Sequence, residues 1–222
     1  MPIIDLSLKL TEHMDVQGFP NPAFLTEVTH AWSLPRYLSP CKGMSKRAFL
    51  MDEHTGTHVD VPFHFDPDGP TLDRVPVDRF VGQAKLLDVS DRKPTEEVTR
   101  GMIEEAISRQ RVSIDAGDIV LLRTTKARWG TNGYFDFKSL GKSAAEKLVE
   151  LGARSVGIDL NSADTMSDLS KPAHTILCQE RVPIYENLVQ LGQIRRASFE
   201  FIGLPINMKG ATGSPVRAVA RI

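Results

Sequence analysis

The sequence predicts a mixed α/β fold. Two observations predict it: the first third is rich in β-branched residues and turns with few helical patterns, and beyond residue 75 strand-like and helix-like segments alternate. A third, the lack of any repeat, low-complexity tract or linker-like stretch, leads us to expect a single domain over residues 1–222.

Each element follows from its local pattern. Residues 27–33 and 45–53 read as strands bounded by Pro, Gly and Ser, and 83–89 as another. Residues 96–109 place Val98, Met102, Ile103, Ala106 and Ile107 on one helical face. The apolar run 118–125 reads as a strand covered on both sides. Residues 142–151 form a helix, and Gly152 follows where a helix end favours a residue free to take positive φ. Residues 155–160 are a short buried strand. Residues 170–178 are helical, with Pro172 in the first turn, where its missing N–H costs little. Residues 199–206 and 216–222 close the chain as strands. Residues 126–136, with Trp129, Gly130, Asn132 and Gly133, read as a long loop.

Composition narrows the function. Lys plus Arg is 27 and Asp plus Glu is 28, for a formal net charge of −1. Such balance offers no broad basic surface to nucleic acid or an anionic membrane. A small molecule or a second copy of the chain is the expected partner. Cys41 and Cys178 form no CxxC pair, so a reduced intracellular protein is the simpler expectation. The start, Met1-Pro2-Ile3-Ile4-Asp5, shows no signal-peptide pattern, and no run of about 18 apolar residues could span a bilayer. The expected location is the cytoplasm.

Chemistry concentrates between residues 54 and 64. The segment HTGTHVDVPFH holds His54, His58, Asp60 and His64. A helix is disfavoured by Thr55, Thr57, Val59 and Val61, by Gly56, and by Pro62. In an extended chain these four positions share parity and project to one side, with Pro62 expected to bend the chain before His64. Imidazole and carboxylate are ligands for a borderline divalent metal, Zn²⁺ first and Mn²⁺ also. Three protein ligands plus water make the catalytic arrangement, in which the metal lowers the pKa of the water to about 7. A fourth histidine beside the metal is free to move protons. A serine-hydrolase reading lacks a GxSxG motif. A His174–Cys178 dyad is geometrically possible, but Cys178 follows Ile176 and Leu177 and is expected in the core.

The run HTGTHVDVPFHF resembles the HxGTHxDxPxHF signature of the cyclase family of metal-dependent hydrolases, which includes formamidases and isatin hydrolases. The likeness extends over nearly the whole chain. It takes in Asp5-Leu6-Ser7, the region 69–87, Ser155-Val156-Gly157-Ile158-Asp159, His174-Thr175-Ile176-Leu177, Tyr185-Glu186-Asn187-Leu188 and Gly213-Ser214-Pro215-Val216-Arg217-Ala218. The resemblance implies a swivelling β/β/α fold, a homodimer or homotetramer, and one or two metal ions per chain. It implies that residues matching His54, His58 and Asp60 hold a first metal. Asp60 then bridges to a second held also by His174, Glu186 touches both, and His64 is the general acid/base. It also implies an aromatic ring against the substrate; the family's tryptophan is replaced here by Phe19, within Gly18-Phe19-Pro20-Asn21-Pro22.

The expected activity is hydrolysis of an amide-type C–N bond of a small molecule, arylformamidase-like. Ring-opening of a cyclic amide such as isatin, a non-hydrolytic cyclisation or dehydration, and a non-catalytic metal- or ligand-binding role are the alternatives. Asp159 could reach the site but is better placed as a strand-end or helix-capping residue. Ser214 and Arg217 are placed equally well by contact with substrate or a partner subunit and by an ordinary strand role. Asp52, Thr55 and Thr57 are candidates to orient the histidines.

Overall fold

The computed structural model describes residues 1–12, 14, 22–131 and 133–222. In chain order its strands are β1 (Ile3–Asp5), β2 (Ala23–Val28), β3 (Lys46–Leu50), β4 (His58–Asp60), β5 (Val81–Asp88), β6 (Ile119–Arg123) and β7 (Ser155–Ile158). They continue with β8 (Ile184–Glu186), β9 (Ser198–Ile202), β10 (Gly213–Pro215) and β11 (Val219–Arg221). The helices are α1 (His30–Ser33), α2 (Arg100–Gln110), α3 (Lys142–Glu150) and α4 (Pro172–Gln179).

Nine strands form one mixed sheet in the order β1-β11-β9-β5-β6-β7-β8-β4-β10. The four from β5 to β8 run parallel, and the others join antiparallel. Strands β2 and β3 pair with each other as a separate ribbon. As the unbroken apolar run predicts, β6 is buried on both faces. Val120 and Leu122 pack with residues of α2, α3 and α4, while Ile119 and Leu121 join Leu6, Val59, Tyr185 and Phe201 on the other face. Each such aliphatic side chain contributes about 1.5–3 kcal/mol on burial. Neighbouring β7 needs its glycine: a Cβ on Gly157 would lie 2.5 Å from Leu121 Cδ2 and 2.7 Å from Leu188 Cδ1.

Several expected boundaries move, each for a local reason. The strand expected at 27–33 ends at Val28, because the Thr29 hydroxyl accepts the Trp32 N–H and starts α1. Helix α2 begins at Arg100 rather than 96, capped by Thr99, with Val98 bridged to Leu140 instead. The strand expected at 199–206 stops at Ile202, where the Gly203 N–H turns to the Phe80 carbonyl. The stretch expected as one strand at 216–222 is preceded by β10, bridges at Val216 and resumes only as β11. Strand β8 falls where no local pattern predicts a strand. Among the described residues no helix is long and apolar enough to cross a membrane.

Candidate metal centre

The 54–64 segment bends at Pro62, as expected, and also turns at Gly56, which parity did not predict. Only His58–Asp60 is strand, and alternation there points His58 and Asp60 to one face while Val59 enters the core with Tyr185. Cross-strand register with β8 sets His58 opposite Glu186. His54 lies in a turn upstream, where Gly56 at φ +67 redirects the chain; a Cβ there would meet Leu10 Cδ2 at 2.6 Å. His64 closes a 3₁₀ turn begun by Pro62. Gly56 and Pro62 thus break the extension, and both breaks bring the outer histidines back toward Asp60. Parity alone places 58 and 60.

The remaining residues arrive from the carboxyl ends of the parallel strands, where α/β sheets commonly bind ligands. Glu186 ends β8, and His174 sits in the first turn of α4. Asp60 Oδ1 is 2.6 Å from His54 Nδ1 and 3.2 Å from His58 Nε2, while Oδ2 is 3.5 Å from His174 Nε2. Glu186 lies 3.5 Å from His58 Nε2 and 3.2 Å from His174 Nε2. His64 stacks on His54 with ring centroids 4.0 Å apart. Ligand atoms of His54, Asp60 and His64 fall within 4.8 Å of one another, and so do those of His58, Asp60 and Glu186. His54, His58, Asp60, His64, His174 and Glu186 therefore meet in one cluster. Phe19 lies outside the described residues.

The outer partners of the rings decide which way their lone pairs point. His58 Nδ1 lies 2.9 Å from the Gly56 carbonyl, and His174 Nδ1 2.6 Å from Asp164 Oδ2. Both acceptors require N–H at Nδ1, so each neutral ring turns its Nε2 lone pair toward the carboxylates. The Thr212 hydroxyl donates to Glu53 Oε2 at 2.7 Å, so it accepts from His54 Nε2 at 2.9 Å. That leaves the His54 Nδ1 lone pair facing Asp60. Three lone pairs converge on two buried carboxylates, and among the described residues Asp60 Oδ2 has no hydrogen-bond donor. Such a donor set demands a cation, and nitrogen and oxygen ligands of this kind suit Zn²⁺ or Mn²⁺.

Titration expresses the same demand. Burial works to lower His58, but Asp60 and Glu186 overcome it and hold the ring at about 9. His174 is raised well above the ordinary histidine value, against burial, by Asp164, Asp60 and Glu186. Burial would raise Asp60, yet the surrounding histidines hold it well below the carboxylate range. His64 differs: burial, assisted by the other histidines and opposed by Asp60, lowers it to about 4. It is neutral at pH 7.

Asp164 went unnoticed in the sequence. It is buried, and its carboxylate also accepts the backbone N–H groups of Ala173 and His174 at the start of α4. The N-cap position of α4 is Lys171, so no local capping pattern marks Asp164 in the sequence. Thr212 and Glu53 carried no signal. Of the expected orienting residues, Asp52 holds the His54 backbone N–H, and Thr57 bonds Leu8 and Asn187 backbone; neither touches an imidazole. Among the described residues the Thr55 hydroxyl has no partner. Asp159 accepts from Thr124 and Thr125, Ser214 from Ile206 N–H, and Arg217 pairs with Asp5, so all three serve structure outside the cluster. Cys178 is buried, with its thiol pushed up to about 12, which leaves the dyad no nucleophile.

The cluster floors a cleft of about 130 Å³ whose walls include Leu8, Phe65, Trp129, Met166 and Lys171. Trp129, from the expected loop, supplies an aromatic wall.

Known proteins resemble this chain in sequence and fold. The family model described as "Putative cyclase" matches residues 4–165. The kynurenine formamidase of Paracidovorax citrulli is 30% identical over 90% of this chain and 91% of its own length. That of Bacillus cereus ATCC 10987 is 32% identical over 98% of this chain and 96% of its own. Isatin hydrolase A from Ralstonia solanacearum superposes with a TM-score of 0.82 at 22% identity, over 99% of this chain and 91% of the other, which shows the shared fold. With the family match spanning most of its length, this chain belongs to the cyclase family.

Proposed function

We propose that the chain is a metal-dependent hydrolase that cleaves an amide-type C–N bond of a small aromatic molecule. One observation carries the reading: three imidazole lone pairs converge on Asp60 and Glu186 beside His64, a ring that burial keeps neutral. Relatives named kynurenine formamidase support the amide class. His54, His58, Asp60, His174 and Glu186 would hold one or two divalent ions, Zn²⁺ by preference and Mn²⁺ as an alternative. Bound there, such an ion supplies Lewis acidity for the carbonyl and acidifies water to a pKa of about 7.

The chain's own residues do the rest. His64 takes a proton from the attacking water and returns it to the leaving nitrogen, help worth typically about 10²–10⁴ in rate. Asp164, the Gly56 carbonyl and Thr212 fix the ring orientations. The cleft walls orient a flat substrate. A second reading has its own observation: His64 sits within ligand range of His54 and Asp60 and would then be a ligand.

We propose further that residues 1–222 act as one catalytic unit, in the cytoplasm, as a homodimer or homotetramer. The unpaired, exposed Cys41 supports a reducing compartment. Self-association is supported by the β2–β3 ribbon and the segment between its strands. There Leu25, Leu38, Phe49 and Leu50 are 62%, 87%, 55% and 65% exposed. Assays on formanilide, N-formylkynurenine and isatin, with and without a chelator, test the activity. Turnover that chelation abolishes and Zn²⁺ or Mn²⁺ restores supports the reading; turnover indifferent to chelation contradicts it.

A further inference from the structure

One side chain of the cleft has no task in this chemistry. Lys171 lines the same cleft as His54, His64 and His174, and it is the one lysine or arginine among the lining residues. Its ammonium donates to the carbonyls of Thr165 at 3.2 Å and Met166 at 3.4 Å. Among the described residues no carboxylate lies within 4.0 Å of it. Carbonyl dipoles steady an ammonium without neutralising it, and the Asp168 carboxylate that attracts it lies beyond ion-pair distance. A half-buried cation held in this way, beside an apolar wall that includes Met166, offers counter-charge to an anion in the cleft.

The nearby helix start cannot take that role. Pro172 has no N–H, and the Ala173 and His174 N–H groups are already given to Asp164. The Lys171 backbone is left-handed, at φ 43 and ψ 55, a region that non-glycine residues seldom enter. This conformation carries the side chain at the very start of α4, three positions before His174.

We infer that Lys171 is a specificity residue that pairs with a carboxylate carried by the substrate, an aromatic amide whose scissile bond sits at the metal centre. The inference rests on the proposed hydrolase reading and adds a substrate class to it: anionic aryl amides in preference to neutral ones.

The test compares kcat/KM of the metal-loaded protein on formanilide and on its ortho, meta and para carboxylates. Wild type, Lys171→Met and Lys171→Arg are assayed at low and high salt. At least one carboxylate isomer is expected to be preferred about tenfold by wild type, equivalent to about 1.4 kcal/mol. Lys171→Met is expected to bring that ratio close to one, chiefly through KM for the anion, and Lys171→Arg to keep it. Salt at about 1 M should shrink the wild-type preference, because a half-exposed charge pair is screened. Formanilide turnover with no isomer preferred, or a preference that survives Lys171→Met, overturns the inference and leaves the hydrolase reading intact. Failure of all four compounds with metal bound overturns the aryl-amide reading, and the inference falls with it.

Discussion

His174 Nδ1 lies 2.6 Å from Asp164 Oδ2, and the same oxygen accepts the His174 backbone N–H at 2.9 Å. One carboxylate thus fixes both the tautomer of the ring and its place at the start of α4. Asp164→Asn is expected to weaken metal binding about 10–100-fold. Asp164→Ala should add a loss of about 1 kcal/mol in stability from the missing helix cap. Competition for Zn²⁺ against a chromophoric chelator measures the first effect, and denaturant unfolding the second. Wild-type affinity in both variants would show that the ring needs no such support.

The two readings of His64 separate on one substitution. As general acid/base, His64→Ala should retain the wild-type metal content while activity falls by about 10²–10⁴. As a ligand, the same change should lower metal content together with activity. Elemental analysis alongside kcat decides between them.

The protein stripped of metal should be most stable near pH 6.5. His58 is raised from 6.5 to about 9, so the stability its protonation provides is present below 6.5 and is lost as pH rises through about 9. His64 is lowered from 6.5 to about 4, so its contribution is present above 6.5 and is lost as pH falls through about 4. Each limb amounts to about 3 kcal/mol at 1.36 kcal/mol per unit of pKa. Thermal melts from pH 4 to 9 after chelation read both limbs. A profile rising steadily to pH 9 would contradict the cluster's electrostatics. Metal should flatten the alkaline limb by taking the place of the protons.

Gly56→Ala should damage the site through the backbone. The φ of +67 disfavours any side chain, and the new Cβ would press on Leu10 at 2.6 Å. A destabilisation of more than about 1 kcal/mol is expected, with metal affinity reduced because His54 shifts. A variant with wild-type melting and wild-type metal binding would show that this turn does not position His54.

Much of this was legible in the chain. Strand β6 announced itself by an unbroken apolar run, α4 by Pro172, and the cluster by the density of His54, His58, Asp60 and His64. His174 and Glu186 were reachable only by resemblance, since register and helix packing bring them to Asp60 from far along the chain. Asp164, Thr212 and Lys171 were illegible for the same reason: their meaning lies in what they face. Parity misjudged His54 because Gly56 turns the chain, whereas the bend expected at Pro62 is present and brings His64 to the cluster. Thr29 and Thr99 moved element boundaries by capping helices, an effect of single side chains that hydrophobic periodicity does not register.

The most direct measurement is calorimetric titration of the metal-free protein with Zn²⁺ near pH 7.5, repeated in two buffers of different ionisation enthalpy. Uptake of one or two ions per chain is expected, with release of protons from His58 and His174 and loss of uptake in Asp60→Ala. No uptake by the wild-type protein, or uptake unchanged by Asp60→Ala, would contradict a metal centre at this cluster.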